Sequence, residues 1–267
     1  MRQLLRVFGG YFRTTVAAQL QYRAVLVIWL LDLVLQPVIA LGVWSAVARS
    51  RGETVGGFGP AEFAAYFLAV MVVDHLTFTW IMWEYDYRIR HGDFSTVLLR
   101  PIHPVVSDLA DNVAYKLLTL VVLSPVVALL VWLFRPSVAF VPWAVAAFVP
   151  ALVLAFALRF ALEWTLAMAA FWTTRISAVN NLYWYVFALL AGFFAPLSLL
   201  PGPLRAIAEW LPFRWVMAFP VELLLGRLRP EEAAVGFAAQ LAWIGIGVVA
   251  LRAAYGAGVR RYAAVGG

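Results

Sequence analysis

Long apolar runs separated by short arginine-bearing stretches dominate the chain. Six runs approach the ~20 residues a helix needs to cross a bilayer. They are Ala24 to Ala48, Ala61 to Trp83, Asn112 to Phe134, Pro142 to Phe171, Val179 to Leu199 and Ala233 to Leu251. Backbone groups in lipid must pair within their own segment, so each run predicts a membrane-spanning α-helix. Ahead of them, Leu4, Leu5, Phe8, Tyr11 and Phe12 recur at helical spacing, opposite Arg2, Gln3, Arg6 and Arg13. This predicts an amphipathic helix over residues 1–23 on the membrane surface, weakened by Gly9 and Gly10. Its arginines are spread out rather than placed before one apolar run, unlike a cleavable signal. The expected fold is an all-α membrane protein, one polytopic domain over residues 1–267.

Two connections exceed simple turns. Residues 84–111 begin with a charged stretch, and Pro101 and Pro104 then stop helix propagation. A short helix between Tyr87 and Leu99 suits this pattern, with Asp108 as the cap of the next helix. Residues 200–232 are more apolar than a solvated loop, and prolines divide them into pieces too short to cross. Short helices over Leu204 to Trp210 and Trp215 to Leu225, dipping into the outer leaflet and returning, satisfy the backbone there.

Composition sharpens this picture. Of 267 residues, 64% are hydrophobic and 13% charged, against about 45–50% and about 25% in soluble domains. A soluble core cannot absorb that excess. Lysine and arginine number 20 against 14 acidic residues, and Lys116 is the only lysine. Because Leu117 follows it, no GxxxxGK[ST] phosphate loop exists. The arginines lie scattered between apolar runs, which reads as topological anchoring rather than nucleic-acid binding. With the N-terminus inside, twelve basic residues, Lys116 among them, fall in cytoplasmic stretches and seven outside. Both termini are therefore expected in the cytoplasm. There is no cysteine, and His75, His91 and His103 lack the HExxH spacing, so no metal is expected.

Ionisable residues within spans cost roughly 2.5–3.5 kcal/mol on insertion scales and usually face the protein interior. Asp32, Asp74, His75, Arg159 and Glu163 are such residues. Arg159 and Glu163 stand at i and i+4, close enough to pair on one helix face. Asp74 and His75 are adjacent and diverge; a proton relay through them needs partners that no nearby residue supplies. Asp32 and Gln36 lie one turn apart, able to line a conduit or to bond a neighbouring helix. Asn180, Asn181, Tyr183 and Tyr185 add polar groups to the fifth span. No GxxxG dimerisation motif lies within a span.

The layout resembles the permease subunit of a type-2 ATP-binding-cassette (ABC-2) exporter. Three features carry the resemblance across most of the chain. They are the amphipathic helix before six spans, the stretch Arg88 to Pro104, and the outer segment before the last span. In the stretch, Gly92, Leu98, Leu99, Pro101 and Pro104 match the family's glycine, Leu-Leu and two spaced prolines. In the outer segment the matching residues are Pro201, Pro212, Phe213, Pro220 and Gly226. The resemblance implies a second permease, identical or related, and two separate ATPase subunits that bind ATP and magnesium, with no cofactor on this chain. It further implies a bacterial plasma membrane, and a cytoplasmic coupling helix seated on the ATPase. That helix would use Arg88, Ile89, Arg90, Gly92, Asp93, Phe94, Leu98, Leu99, Arg100 and Pro101. The first and fifth spans line the pathway in that family, which draws attention to Gln36, Asn180, Asn181, Tyr183 and Tyr185. A stand-alone secondary transporter or channel, and a membrane-embedded lipid-modifying enzyme using Asp108 and Asp111, are the alternatives. The substrate stays open among amphipathic or lipid-like molecules, drugs and glycans.

Overall fold

The computed structural model describes residues 2–21, 23–52, 54–173 and 176–262. The described residues form helices and turns without a strand, apart from an isolated bridge between Val55 and Phe58. Helix α1 (Arg2–Gln21) leads into α2 (Arg23–Ser50), α3 (Pro60–Thr77), α4 (Ile81–Arg90), α5 (Phe94–Leu98) and α6 (Pro104–Phe134). Then follow α7 (Pro142–Ala167), α8 (Ile176–Leu190), α9 (Gly202–Trp210), α10 (Pro212–Val216), α11 (Ala218–Leu224) and α12 (Pro230–Arg261). Prolines 60, 104, 142, 212 and 230 each take the first helical position. A missing N–H costs nothing there, and the fixed φ is already helical.

Four segments are long and apolar enough to cross a membrane: Pro60–Arg90, Pro104–Phe134, Pro142–Phe171 and Pro230–Arg261. Val34–Ser50 and Ile176–Leu190 are shorter apolar helices. The fourth expected span coincides with α7 and its terminal 3-10 turn, Met168–Phe171. Others need correction. The second run is broken, because residues 78–80 leave the helix between α3 and α4. The third helix starts eight residues early, with His103 rather than Asp108 as its cap; the His103 ring accepts from the Val105 N–H at 3.3 Å. The fifth ends at Leu190, where Gly192 takes φ +89° and Tyr66 Oη donates to its carbonyl at 2.6 Å. At 1.5 Å per residue, its 15 residues reach only about 22 Å. The last helix runs ten residues beyond Leu251 to Arg261. In the outer segment, the piece expected over Trp215 to Leu225 divides into α10 and α11.

The connections sort to opposite ends of the bundle. At one end Trp44 Nε1 donates to the Phe194 carbonyl at 2.8 Å, and the Arg227 guanidinium lies 3.6 Å from the Phe58 ring centroid. Gly226 is so close to the 139–141 stretch that a Cβ there would stand 2.8 Å from Val141 Cγ2. At the other end Arg100 Nη1 reaches Tyr11 Oη at 3.2 Å, and Tyr262 Oη donates to the Gly92 carbonyl at 3.1 Å. Helix α1, the α4–α6 connection and the last helix therefore share one end. Helix α1 packs along α6 with Phe8, Tyr11 and Phe12 half-buried and Arg6 and Arg13 exposed, in keeping with the expected faces.

The closest helix pair is α7 with α12. Gly236, Gly247 and Gly258 recur every eleven residues, three turns of a helix, and so fall on one face. A Cβ at Gly236 would meet the Phe219 ring at 2.1 Å, at Gly247 it would meet Ala161 Cβ at 3.1 Å, and at Gly258 the Phe171 ring at 2.2 Å. Between them, buried Gln240 donates to the carbonyls of Ala151 and Trp215, both at 2.9 Å. The stripe replaces the missing GxxxG, but it serves packing within the chain.

Replacing Gly236 with valine should therefore cost about 1–3 kcal/mol by overpacking against Phe219. Gly245, with open space around it, should accept alanine without loss. Thermal unfolding of the purified protein in detergent compares the two.

Candidate functional site

The α3–α4 break is where polar chemistry enters the apolar bundle. No proline or glycine marks residues 77–80, which read Thr-Phe-Thr-Trp. Phe78 adopts an extended conformation, so its carbonyl leaves the helical ladder. Lys116, from α6, donates to that carbonyl at 2.5 Å, and its ammonium lies 4.8 Å from the Phe156 ring centroid. The single lysine, counted above among cytoplasmic anchors, is thus a buried partner for a broken backbone.

Arg159 of α7 holds the same break from the other side. Its Nε reaches Glu163 Oε1 at 2.7 Å, confirming the i, i+4 pair. Nη1 also reaches Asp74 Oδ1 at 2.7 Å and Thr77 Oγ1 at 3.1 Å. The side chain is fully buried, with its guanidinium 4.4 Å from the Phe187 centroid and 5.2 Å from that of Phe78. Glu163 also accepts from the Thr79 hydroxyl and, at 3.3 Å, from Tyr183 Oη. Two carboxylates thus share one guanidinium, with Lys116 held at the adjacent break. Asp74 and His75 diverge as expected: His75 Nε2 shares a hydrogen bond with Thr119 Oγ1 at 2.9 Å. The partners missing near Asp74 in sequence come from α7, 85 residues away.

Of the other intramembrane candidates, Gln36, Asn181 and Tyr185 are exposed on α2 and α8, while Asn180 and Tyr183 face inward. The Asp32 side chain lies outside the described residues. The structure therefore gathers Asp74, Arg159 and Glu163 into one cluster and leaves Gln36, Asn181 and Tyr185 on outward faces.

Below the break, α4 carries its charges to a second junction. Asp108 accepts from Tyr85 Oη at 2.8 Å, Trp164 Nε1 at 2.9 Å and Arg88 Nη1 at 3.1 Å. Arg88 also pairs with Glu84 at 2.9 Å, and Arg90 with Asp86 at 2.6 Å. Asp108 is thus a fully engaged strut, and Asp111 accepts from the Thr15 hydroxyl of α1. Burial lowers the His103 pKa although Asp108 opposes it, which keeps the ring neutral and able to accept at the α6 cap. At the outer end, burial raises the Glu222 carboxyl against the pull of Arg214, 3.3 Å away.

The α4–α6 connection separates into an anchor and a tip. Gly92, at φ +79°, turns the chain between α4 and α5, a backbone conformation that glycine adopts freely. Asp93 precedes α5 without a side-chain capping bond, and Ile89 is half-buried. Phe94, expected on the contact surface, is instead fully buried among the rings of Tyr85, Phe171 and Tyr262. Leu98, Leu99, Arg100 and Pro101 are exposed, Leu99 at 85%. Leu98 and Leu99 thus form a small exposed apolar tip at one end of the bundle, next to the buried Phe94. In the outer segment Pro201 caps α9, Pro212 and Pro220 are buried, Phe213 packs against Tyr183 and Phe187, and Gly226 makes the close turn onto Val141.

A cavity of about 580 Å³ lies between α1, α4 and α6. Sequence periodicity did not point to it, because its walls come from three separated segments. Among the described residues, no group of three or more histidine or acidic side chains is placed to hold a metal ion.

Residues 34–266 match the family model described as ABC-2 family transporter protein. No curated protein matches the chain.

Removing Arg159 would leave Asp74 and Glu163 buried without a cation. Arg159→Leu should cost about 3–5 kcal/mol, and Arg159→Leu with Asp74→Asn and Glu163→Gln should recover most of it, because the triple change leaves no charge unpaired. Unfolding temperatures in detergent report both.

Proposed function

Because the chain belongs to the ABC-2 transporter family, we propose that this permease is the membrane-spanning subunit of an ATP-driven exporter. In this reading it crosses the membrane six times, forms the translocation pathway with a second permease, identical or related, and couples to two separate ATPase subunits. The described helices support six crossings, because successive long helices run between two ends with different contacts. The short α8 makes up its length with the outer helices α9–α11. Arginine asymmetry supports placing the α1, α5 and Arg261 end in the cytoplasm of a bacterial cell. The lack of a phosphate loop supports ATP and magnesium binding on a partner chain.

One observation carries the coupling assignment. Leu98 and Leu99 project from a short helix whose other face is fixed by buried Phe94. A force transmitter needs such a stiff base, and the base here continues through Arg88 and Asp108 into α4 and α6. ATPase closure at Leu98, Leu99, Arg100 and Pro101 would reach α4, and then the ion cluster at the α3–α4 break. Gln36, Asn181 and Tyr185, polar groups on outward faces of apolar helices, fit a pathway or permease contact better than lipid.

Leu98→Asp with Leu99→Asp should abolish co-purification of the ATPase while the permease stays in the membrane with unchanged thermal stability. Undiminished co-purification would remove the coupling assignment. Transport by proteoliposomes holding this chain alone, driven by an ion gradient, would overturn the exporter reading itself.

A further inference from the structure

We propose that the cavity between α1, α4 and α6 binds the ammonium head of an amphiphile. Its volume of about 580 Å³ falls in the range of small-molecule sites. Its walls combine two kinds of group that together select organic cations. Tyr11, Trp80, Tyr85 and Tyr115 supply aromatic surface. Among the described residues, Glu84, Asp108 and Asp111 supply carboxylates against one lining guanidinium, Arg88. That guanidinium is already committed to Glu84 and Asp108. Arg100, outside the lining, is held at the Tyr11 hydroxyl.

The acidic groups differ in what they have left to give. Asp108 is saturated by three donors. Asp111 accepts from Thr15 through Oδ1, and no hydrogen bond from the described residues reaches its Oδ2. Among the described residues, Glu84 is bonded only through Oε1, and it is half-exposed. An anion meets excess negative charge here. A compact metal ion gains nothing from ring walls and, among the described residues, finds no group of three acidic or histidine ligands. An alkylammonium matches both features, since its positive charge is attracted by carboxylates and by ring faces alike.

Position supplies the tail. Asp111 and Tyr115 lie in the early turns of α6, and Leu118, Val122 and Leu129 continue on the same side at helical spacing. Leu118 is half-buried, and Val122 and Leu129 are exposed. An apolar track therefore leads from the cavity along a membrane-length helix. An ammonium with an acyl or alkyl tail fits both parts, whether it belongs to an aminophospholipid or to a soluble single-chain amphiphile. The site stands on its own geometry and does not require coupling to an ATPase.

Native mass spectrometry of the full chain released from neutral maltoside micelles tests this. Phosphatidylethanolamine and decyltrimethylammonium are titrated separately, with phosphatidylglycerol as the anionic reference. At least one ammonium probe should bind tighter than phosphatidylglycerol. The lipid alone, the soluble amphiphile alone, or both will identify the source. Glu84→Gln with Asp111→Asn should weaken that binding at least tenfold. Ala18→Trp, which fills the cavity from the exposed side of α1 without touching a charge, should do the same and carries the test if the double variant does not fold. Phosphatidylglycerol binding as tightly as both ammonium probes, or undiminished binding in either folded variant, overturns the proposal.

Discussion

A guanidinium with no contact with solvent sits among apolar helices, and much of the bundle is arranged around it. Arg159 is tolerable only because Asp74 and Glu163 approach its Nη1 and Nε at 2.7 Å each and two aromatic rings cover its faces. Buried charges of this kind add little net stability, but each becomes costly if a partner leaves. The consequence is geometric. α3 and α7 must keep their register, and the chain between α3 and α4 must leave the helix so that Thr77 and Thr79 reach the same ions. The carbonyl freed at Phe78 then requires Lys116. One buried cation on each side of the break ties α6 and α7 to a non-helical step that has no sequence breaker of its own.

From that step downward the structure is a chain of struts. α4 passes its load to α6 and α7 through Tyr85, Arg88 and Trp164, all bonded to Asp108. Phe94, packed against Phe171 and Tyr262, locks α5 to the end of α7 and the end of α12. The exposed leucine tip is thus connected to the buried ion cluster by a continuous series of contacts. This continuity is what makes the tip suited to the proposed ATPase seat.

Much of this was legible in the residues. Apolar runs located the long helices, and the i, i+4 relation of Arg159 and Glu163 identified half of the cluster. Other features depended on partners far away in the chain. Asp74 and Lys116 meet the cluster only after folding, so adjacency could not reveal them. The break after Thr77 is stabilised by tertiary ions, and local propensity carries no trace of it. Two signals were present but unread. Pro104 at a first helical position points to His103, not Asp108, as the cap, and the eleven-residue glycine repeat marks a packing face that a search for GxxxG passes over. Phe94 turns inward, which the pattern leaves open because an apolar residue on a five-residue helix can face either way.

In the proposed arrangement the Leu98–Leu99 tip is the cytoplasmic seat of a separate ATPase. The chain has no cysteine, so single cysteines at Leu99 and at Trp210, which is 83% exposed at the opposite end, can be compared without background. In membranes containing the ATPase, a thiol cross-linker should join the Leu99→Cys permease to the ATPase and leave the Trp210→Cys permease unlinked. Labelling of Leu99→Cys only from the outer face, or cross-linking through Trp210→Cys instead, would contradict the account.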